Sequence, residues 1–371
     1  QTNTNHQYMA SFRASYRNTL TMRNGTKFRE TVNPRLDHAI DIDPDAWINE
    51  ISWDDTFTIS CAEGATVLVS NVWGGPSETA LQAHDGIYYI GTPAQLADWV
   101  SRKLGNDAVL VRDMDLANLE WPVSTTSDAI AGSFDGNGHT IYNLNCQTYL
   151  VESDGANGLA WDNKAQNAAL FPVFSGDIRN LTIDGATIYG SRSGALVGRF
   201  NGGTIDNCHM KNIEITGGAQ KVAALVGYAA NYTDAVFSNC TVENATVAAD
   251  KNAPEGDASC MAGGFIGYIQ SNNVSVTISN NTLTDVSVES GNRWDNYSEC
   301  ASHVFVGDLI NLSSTTKSII TFSNNRLNDC KLLNAATTSL ATEFFGFYYK
   351  NPAGNYKYVN TVIVDGKTLV E

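Results

Sequence analysis

The 371-residue chain has no run of eighteen apolar residues, so the sequence contains no candidate transmembrane helix. Only 17% of its residues are charged, and the formal net charge is -16. Because binding to nucleic acid or to an anionic membrane depends on positive charge, this balance argues against both partners. Membrane attachment would then require a lipid anchor outside this chain.

Several catalytic and metal-binding signatures are also missing. The sequence contains no HExxH, no GxSxG and no P-loop, and its Cys and His residues do not have the CxxC or Cys-His spacing of a metal site. We therefore expect neither a metal nor a cofactor. Its seven Cys are an odd number. Cys208 and Cys240 occupy the same slot of successive repeats, where we expect small apolar side chains of a core rather than a disulfide.

What the second half does contain is a repeated phrase, apolar-x-Asn-x-x-apolar-x-x-apolar-x-apolar. Its copies start at Ile178, Ile205, Phe237, Ile278 and Phe322, with a weaker copy from Val359 and a half copy from Ile141. The spacing between starts is unequal, so loops of different length separate the copies. Self-similarity of this kind predicts stacked structural units.

The phrase has the period of a β-strand, because its last apolar residues lie two apart and β-branched residues are common. Like strands that recur in the same direction pair as parallel neighbours. We therefore expect an all-β chain with a right-handed parallel β-helix of about seven to nine coils, the hand following from the general preference of parallel crossovers.

Two columns are expected to mark the corners of each coil. A second phrase, such as ALVG ending at Gly198 and Gly227, puts Gly at one corner, where we expect positive φ. The Asn of the repeated phrase is expected to form a structural ladder at another corner. This ladder comprises Asn143, Asn180, Asn207, Asn239, Asn280 and Asn324.

These phrases resemble the GLUG-type repeat of bacterial surface proteins, which are abundant in Bacteroidetes. The segments IYYIGTPAQLADWV from Ile87, AVLVRDMDLANLEWPV from Ala108 and FDGNGHTIYNLN from Phe134 are similar to the opening of such proteins. The resemblance covers residues 86–371. It implies a β-helix with a short capping helix near 93–103, in an exported, adhesin-like protein.

Residues 1–85 lack the Asn phrase and hold five of the twelve Arg residues. Alternating stretches from Phe57 and Thr66 suggest antiparallel strands, so we expect a small N-terminal β-sandwich-like domain. The lead into ISWDDTFTIS resembles the start of fimbrillin-type domains. The segment His84–Gly86 is the expected boundary between the two domains.

A β-helix enzyme needs matched carboxylates on adjacent coils, or an acidic calcium cluster beside a basic residue. The slot after the first apolar residue holds Tyr142, Arg179, Asp206, Ser238, Ser279, Ser323 and Asn360. The slot after the central apolar residue holds Asp184, Lys211, Glu243, Thr284, Asn328 and Asp365. Neither column stacks acids on neighbouring coils, which argues against catalysis.

The remaining candidate sites are of two kinds. Asp113, Asp115 and Asp135 could ligate calcium, although the adjoining Asp-Gly and Asn-Gly pairs favour a role in turns. Aromatic residues within the long loops could stack on a sugar or anchor a protein partner, or could instead fold back over the coil. These residues are Trp161, Trp294 and Tyr297.

Taken together, these features predict a non-enzymatic exported protein of the cell surface or outer membrane, with an adhesion or scaffold role. Its partner would be a surface glycan or a protein of host or microbial origin. One alternative is a glycan-binding component of a polysaccharide-uptake or fimbrial system. The other is a β-helix polysaccharide lyase or hydrolase.

Overall fold

The computed structural model of the protein describes only part of the chain. The described residues are 20–22, 27–28, 39–42, 47–48, 58–61, 66–67, 83–116, 121, 128–147, 151–152, 159–160, 167–230, 233–249, 261–271, 273–289, 302–311, 318–333, 340–341, 346–347 and 361–370. Within them the fold is all-β with one α-helix, as the strand periodicity of the sequence predicted. That helix has ten residues, and no described helix is both long and apolar enough to cross a membrane.

The strands in the first part of the chain are short. They are β1 (Leu20–Met22), β2 (Lys27–Phe28), β3 (Ala39–Ile42), β4 (Trp47–Ile48), β5 (Thr58–Cys61) and β6 (Thr66–Val67). The next elements are β7 (Ile87–Ile90), α1 (Pro93–Arg102), β8 (Asp107–Leu110), β9 (Met114–Asp115), β10 (Ile130–Asp135), β11 (Thr140–Gln147), β12 (Val151–Glu152), β13 (Leu159–Ala160) and β14 (Asn167–Ala168).

The central repeats supply the longest strands. These are β15 (Phe171–Arg179), β16 (Thr182–Ser193), β17 (Val197–Phe200), β18 (Gly203–Asp206), β19 (His209–Ala223), β20 (Val226–Ala230), β21 (Ala235–Ser238), β22 (Thr241–Ala249), β23 (Met261–Gly263), β24 (Ile266–Ser271), β25 (Ser275–Ser279) and β26 (Thr282–Glu289). The last are β27 (Ser302–His303), β28 (Val306–Asn311), β29 (Ile319–Ser323), β30 (Arg326–Asn328), β31 (Lys331–Leu332), β32 (Leu340–Ala341), β33 (Gly346–Phe347), β34 (Thr361–Val364) and β35 (Lys367–Val370).

Two large sheets are built from the repeats, one of 14 strands and one of 11 strands, here called sheet 1 and sheet 2. In sheet 2 the order β30, β26, β22, β19, β16, β11, β9 runs back along the chain, and each neighbouring pair is parallel. Each strand therefore lies beside the equivalent strand of the next repeat. Because equivalent strands run in the same direction, they pair as parallel neighbours.

The apolar residues of the repeated phrase form a continuous core between the sheets. In one column of sheet 2, Ile183, Met210, Val242 and Leu283 are in register, and each is completely buried. In sheet 1 the equivalent column contains the buried rings of Phe134, Phe237 and Phe322. Burial of every second side chain follows from the two-residue period of a strand.

Helix α1 covers the start of this core. Its first turn is closed by a capping box, in which the Gln95 amide donates to Thr92 Oγ1 and the Thr92 amide donates to Gln95 Oε1. Pro93 occupies the first turn, where a missing amide donor costs little. The buried Trp99 ring lies 5.5 Å from the Phe134 ring, so the helix adds its apolar face to the repeat core.

The strands before residue 83 differ from the expected antiparallel arrangement. Strand β3 pairs in parallel with β1 and β5, and β4 pairs in parallel with β2 and β6. The antiparallel prediction is therefore wrong for these strands, while the sandwich and the domain boundary stay predictions. The paired residues occupy the same positions of a short sequence repeat, in which apolar residues stand at the first, third and ninth positions, namely Leu20, Met22, Phe28, Ile40, Ile42, Ile48, Ile59, Cys61 and Val67.

The Gly of the second phrase has a different physical role from the one expected. Gly198 and Gly227 lie inside strands β17 and β20, and neither has a positive φ. A Cβ built on Gly227 would lie 2.7 Å from the backbone nitrogen and oxygen of Ser193 and 2.9 Å from the Lys221 oxygen. Gly is required because two backbones approach closely, and the prediction of a positive-φ bend is wrong.

The final repeat has a register that differs from the sequence alignment. Val364, rather than Val359, pairs with Phe322, and Asp365 follows at the corner with a φ of 46°. The phrase therefore begins five residues later than its pattern suggested. Strand β35 then turns back and pairs antiparallel with β34, so it forms the last strand at this end of sheet 1.

Candidate functional site

The Asn column forms a corner of each repeat. Asn180, Asn207 and Asn239 all have φ values between 50° and 55°, the left-handed region that Asn tolerates better than most residues. Asn207 Nδ2 donates to Asn180 Oδ1 at 2.9 Å, whereas Asn239 Nδ2 donates to Asp206 Oδ1 at 2.7 Å. The ladder is thus partly made of Asn and partly of Asp.

Farther along the same corner, Asn280 and Asn324 continue the column with φ values of 58° and 53°. Asn324 Nδ2 donates to Asn280 Oδ1 at 3.3 Å. The five members Asn180 to Asn324 therefore occupy the corner that the repeated phrase predicted.

Asn143 does not belong to this column. The phrase was aligned at Ile141, but Ile141 pairs with Ile183, and it is Phe134 that pairs with Ile178. Asn143 consequently lies level with Gly185 at a second corner, where its φ is 57°. Two extra residues in the FDGNGH turn shifted the alignment, because a gapless comparison cannot accommodate them.

The second corner has a polar column of its own, which the sequence analysis did not identify. Asn212 and Asn244 have φ values of 54° and 53°, and Asn244 Nδ2 donates to Asn212 Oδ1 at 2.7 Å. Asn143 Nδ2 donates to Asp115 Oδ1 at 2.8 Å in an earlier repeat. The signal was available, since Asn or Asp recurs five residues after the first Asn in several copies.

Two carboxylates follow each other in the polar column of this second corner. Asp285 of β26 and Asp329, which directly follows β30, both have positive φ and are level with each other. They stand where Asn212 and Asn244 stand in other repeats, so the left-handed corner accounts for their presence. Among the described residues, no group of three or more His, Cys, Asp or Glu side chains is placed to hold a metal ion.

The calcium candidates each have hydrogen-bond partners within the turns. Asp113 Oδ1 accepts from the Thr140 amide at 2.9 Å and lies 3.0 Å from His139 Nδ1. The Thr140 amide first, and then His139, lower the pKa of Asp113 below its usual value. Asp115 accepts from Asn143 as described above. Both carboxylates therefore hold turns in the first repeats.

Asp135 is the third candidate. Its Oδ1 accepts from the Asn137 amide at 2.8 Å and from Asn180 Nδ2 at 3.0 Å, and its Oδ2 accepts from Arg179 Nε at 2.9 Å. Partial burial alone would raise the pKa of Asp135, but these three donors together lower it. The chemistry of these contacts favours the turn role over calcium ligation.

The corrected register changes which residues occupy the slots after the first and after the central apolar residue of the phrase. We call these slots the first and the second outward column. Asp135 replaces Tyr142 in the first column, where Arg179 lies between Asp135 and Asp206. Asp365 leaves the second column, because it lies at the corner beyond Val364. The Asp and Arg side chains of the first column thus alternate in charge.

In the second outward column, Tyr142 lies between Asp115 and Asp184, and Lys211 lies between Asp184 and Glu243. Each of these carboxylates has an aromatic or basic residue as its neighbour. The paired carboxylates that a hydrolase site requires are not neighbours in either column.

Two thiols of the repeat core, those of Cys208 and Cys240, occupy equivalent positions in successive repeats. Cys208 and Cys240 are both buried and unbridged, and Cys240 Sγ lies 3.1 Å from the Ser238 carbonyl oxygen. Burial, with the neighbouring Cys240, raises the pKa of the Cys208 thiol well above its usual value. Their role as core side chains, expected from the sequence, agrees with this environment. Farther along the same column the buried Asn281 replaces Cys.

A cluster of aromatic and cationic side chains lies where the two sheets approach at the Gly column. We call it the Tyr228 cluster, and it consists of Arg192, Arg199, Lys221, Tyr228 and Tyr268. The Tyr228 ring centroid lies 5.1 Å from Arg192 Cζ, 5.5 Å from Arg199 Cζ and 5.3 Å from Lys221 Nζ. Lys221 Nζ also lies 5.2 Å from the Tyr268 ring.

Strand register brings this cluster together. Arg199, Tyr228, Tyr268 and Asp308 are level in sheet 1, one on each of four neighbouring strands. Arg192 and Lys221 are level in sheet 2, in the adjoining column. Part of this arrangement could be predicted from the sequence, because each sheet 1 member directly follows the Gly of the second phrase. The close approach of this Gly to sheet 2, which brings the two columns together, could not be predicted.

The rings are nearly inaccessible, whereas the cations are not. Tyr228 is 6% exposed and Tyr268 7% exposed, while Arg192, Arg199 and Lys221 are half-buried. A cation near an aromatic face is stabilised by about 0.5–2 kcal/mol, depending on its desolvation. The Tyr228 ring therefore contributes to the stability of the three neighbouring cations.

Three predicted binding residues lie outside the described residues, namely Trp161, Trp294 and Tyr297. Comparison of the sequence with protein-family models, with curated proteins and with solved structures found no match.

Proposed function

We propose that this chain is a non-enzymatic, exported cell-surface protein whose repeats form a right-handed parallel β-helix that serves as a scaffold in cell adhesion. The observation that carries the proposal is the parallel pairing of equivalent strands from β11 to β30. Such stacking suits a stiff element that holds other parts of a protein at a distance. The right hand is the one that parallel crossovers adopt in nearly all cases.

The outward columns support a scaffold more than an enzyme. Their carboxylates alternate with cations, Tyr and hydroxyl residues, and Asp113, Asp115 and Asp135 accept hydrogen bonds within the first repeats. The similarity of the phrases to GLUG-type repeats supports a place on the bacterial cell surface. Recognition would then depend on the long loops, including Trp161, Trp294 and Tyr297, with a surface glycan or protein as the partner.

Surface display can be tested on intact cells. An antibody against the purified protein should label unpermeabilised cells of the source organism, and brief treatment of those cells with protease should remove the label. Labelling that appears only after permeabilisation would refute the proposed location. An intracellular protein of known location provides the control for cell integrity.

A glycan-binding component of an uptake or fimbrial system is the second candidate, favoured by the aromatic residues Trp161, Trp294 and Tyr297 of the long loops. A glycan array with the Trp294→Ala variant as the comparison separates it from a scaffold without a sugar site. Incubation with acidic polysaccharides, with and without calcium, tests the lyase alternative, because lyases create unsaturated sugar ends. Robust formation of such ends would overturn the non-enzymatic proposal.

A further inference from the structure

We propose that a neutral outward surface of sheet 1 binds an extended, uncharged, β-linked polysaccharide chain. The surface consists of the outward side chains of β21, β25, β29 and β34, and we call it the hydroxyl face. The inference rests on the glycan-binding candidate and adds to it a ligand class and a binding surface. It is carried by the register of the four strands, the neutrality of their outward side chains and the area of the face.

The outward side chains of the hydroxyl face alternate with core residues of the same strands. Val276 and Ile278 of β25 are completely buried, as are Ile320 and Phe322 of β29. The residues between them therefore point away from the core. Ile319, at the start of β29, is 45% exposed, so a ligand can reach this surface.

Strand register arranges the outward residues in columns. The middle column has one residue from each strand, namely Val236, Thr277, Thr321 and Ile363. The column beside it has three serines, namely Ser238, Ser279 and Ser323. Side chains within a column are about 4.8 Å apart, and the two columns are about 6.6 Å apart. The face therefore presents a regular grid of hydroxyl and methyl groups.

The outward residues of these four strands are all neutral. They are Ser, Thr, Val and Ile, although the whole chain has 39 acidic and 23 basic residues. The serine column continues into Asp206 of β18, whose Oδ1 accepts from Ser238 Oγ at 2.6 Å. A neutral ligand can dock on the hydroxyl face without the cost of desolvating a charge. An acidic chain would meet repulsion from Asp206 instead.

The central hydroxyls can bond a ligand. Among the described residues, none forms a hydrogen bond with the hydroxyls of Thr277, Ser279 and Thr321. Each hydroxyl can donate one hydrogen bond and accept two, which suits the hydroxyl groups of a sugar. The Thr methyl groups and Ile319 suit the apolar C–H face of a sugar ring. Since β-branched Thr has few rotamers, little ordering is needed on binding.

The size of the face selects the ligand. Four strands span about 19 Å and the five residues of β25 about 17 Å, so the area is about 300 Å². A stable protein interface needs about 800 Å² on each partner, so this face alone is too small for a second copy of the chain. A polysaccharide that lies along the stack needs only a narrow strip. An extended β-linked chain advances by roughly one strand spacing per ring, so successive rings can lie over successive strands.

Isothermal titration of the full chain tests the proposal with three neutral probes. Cellohexaose and chitohexaose are extended, whereas the α-linkages of maltohexaose give a curved chain. We expect saturable binding of at least one extended probe, and at least about fivefold weaker binding of maltohexaose because its hydroxyls do not match the columns. The affinity should change by less than about twofold between about 50 and about 300 mM NaCl, since the face has no charge for salt to screen.

Substitutions on the middle column locate the ligand. Thr321→Val keeps the shape of the side chain and removes its hydroxyl, so it should weaken binding by about three- to tenfold. Thr321→Arg adds a long charged side chain to the column and should weaken binding by more than about tenfold. The matched controls are Thr246→Val and Thr246→Arg, at an exposed site on β22 of sheet 2, and should change the affinity by less than about twofold. Thermal unfolding shows that each variant is folded.

Four results would overturn the inference. They are absence of binding by both extended probes, equal affinity for maltohexaose, an equal loss in the Thr246 variants, and self-association of the chain that Thr321→Arg abolishes. Loss of binding in Trp294→Ala with unchanged binding in Thr321→Val would place the sugar at a loop. The hydroxyl face would then be refuted while the glycan-binding candidate stands.

Discussion

Replacing Gly227 by Ala tests the close approach of the two sheets directly. The added Cβ would lie 2.7 Å from the backbone nitrogen and oxygen of Ser193 and 2.9 Å from the Lys221 oxygen. Contacts below 3.0 Å are not tolerated, and here the obstructing atoms are backbone rather than the ends of flexible side chains. One sheet must therefore move away from the other.

The expected magnitude follows from this geometry. Inserting a methyl group into a well-packed region costs about 1–3 kcal/mol, and we expect the upper end of this range because three backbone atoms on two strands obstruct it. Movement of the sheets would also lengthen the hydrogen bonds of β20. The same movement would increase the distance between Arg192 Cζ and the Tyr228 ring centroid, which is 5.1 Å in the native structure.

Gly105→Ala is the matched control. Gly105 has no positive φ, and a Cβ there would lie 3.4 Å from its nearest neighbour, the Ala131 oxygen. Its replacement should change the stability by less than about 0.5 kcal/mol, as for other surface substitutions.

Urea unfolding followed by circular dichroism gives the free-energy difference, and hydrogen exchange locates it. The amides of β16, β19 and β20 should lose protection in Gly227→Ala before those of β25 and β29. Equal stability of Gly227→Ala and Gly105→Ala would refute the close approach and leave the Gly column without this explanation.

Three further predictions concern the core, the corner and the thiols. Asn281→Ala should lower the free energy of unfolding by about 2–4 kcal/mol. The buried Asn281 side chain accepts from the Cys240 amide at 2.9 Å and donates to the Phe237 oxygen at 3.0 Å. Replacement of the exposed Asn328 by Ala should lower it by less than about 0.5 kcal/mol in the same urea titration. Burial first, and then Lys211, lower the pKa of His209 below 6.5. The unfolded chain therefore takes up the proton at a higher pH than the folded protein, so the free energy of unfolding should fall as the pH drops below 6.5. Unfolding measured above and below pH 6.5 should show a smaller fall for His209→Gln, and an equal fall would contradict this reasoning. Iodoacetamide should modify Cys208 and Cys240 only after denaturation, since both thiols are buried; rapid labelling of either in the native protein, detected by peptide mass, would disprove the packing.

The repeats themselves were predictable because each copy contains the same short sequence pattern. Asn at a left-handed corner and apolar residues two apart are signals that a single segment contains, as at Asn207 with Ile213 and Ile215. The capping box of Thr92 and Gln95 is equally local. These features needed no knowledge of any other part of the chain.

The errors arose where a segment departs from the pattern by a few residues. The FDGNGH turn is two residues longer than the equivalent turn at Asn180, and this moved Asn143 into the wrong column. The Val359 copy failed for a related reason, because alternating residues of β34 imitate the phrase in a register five residues too early. Strand pairing decides between such registers, since a shift would exchange buried and exposed faces.

By itself, the sequence determined that this protein is built from parallel-paired, β-period repeats with Asn corners, because those properties depend on residues close together in the chain. Only the tertiary structure decided which repeat is level with which, and that the Gly column is a contact between sheets. It also brought Arg192, Arg199 and Lys221 to one ring, through strands separated in sequence. Contacts between sheets depend on the summed lengths of all intervening turns, and no single segment contains that information.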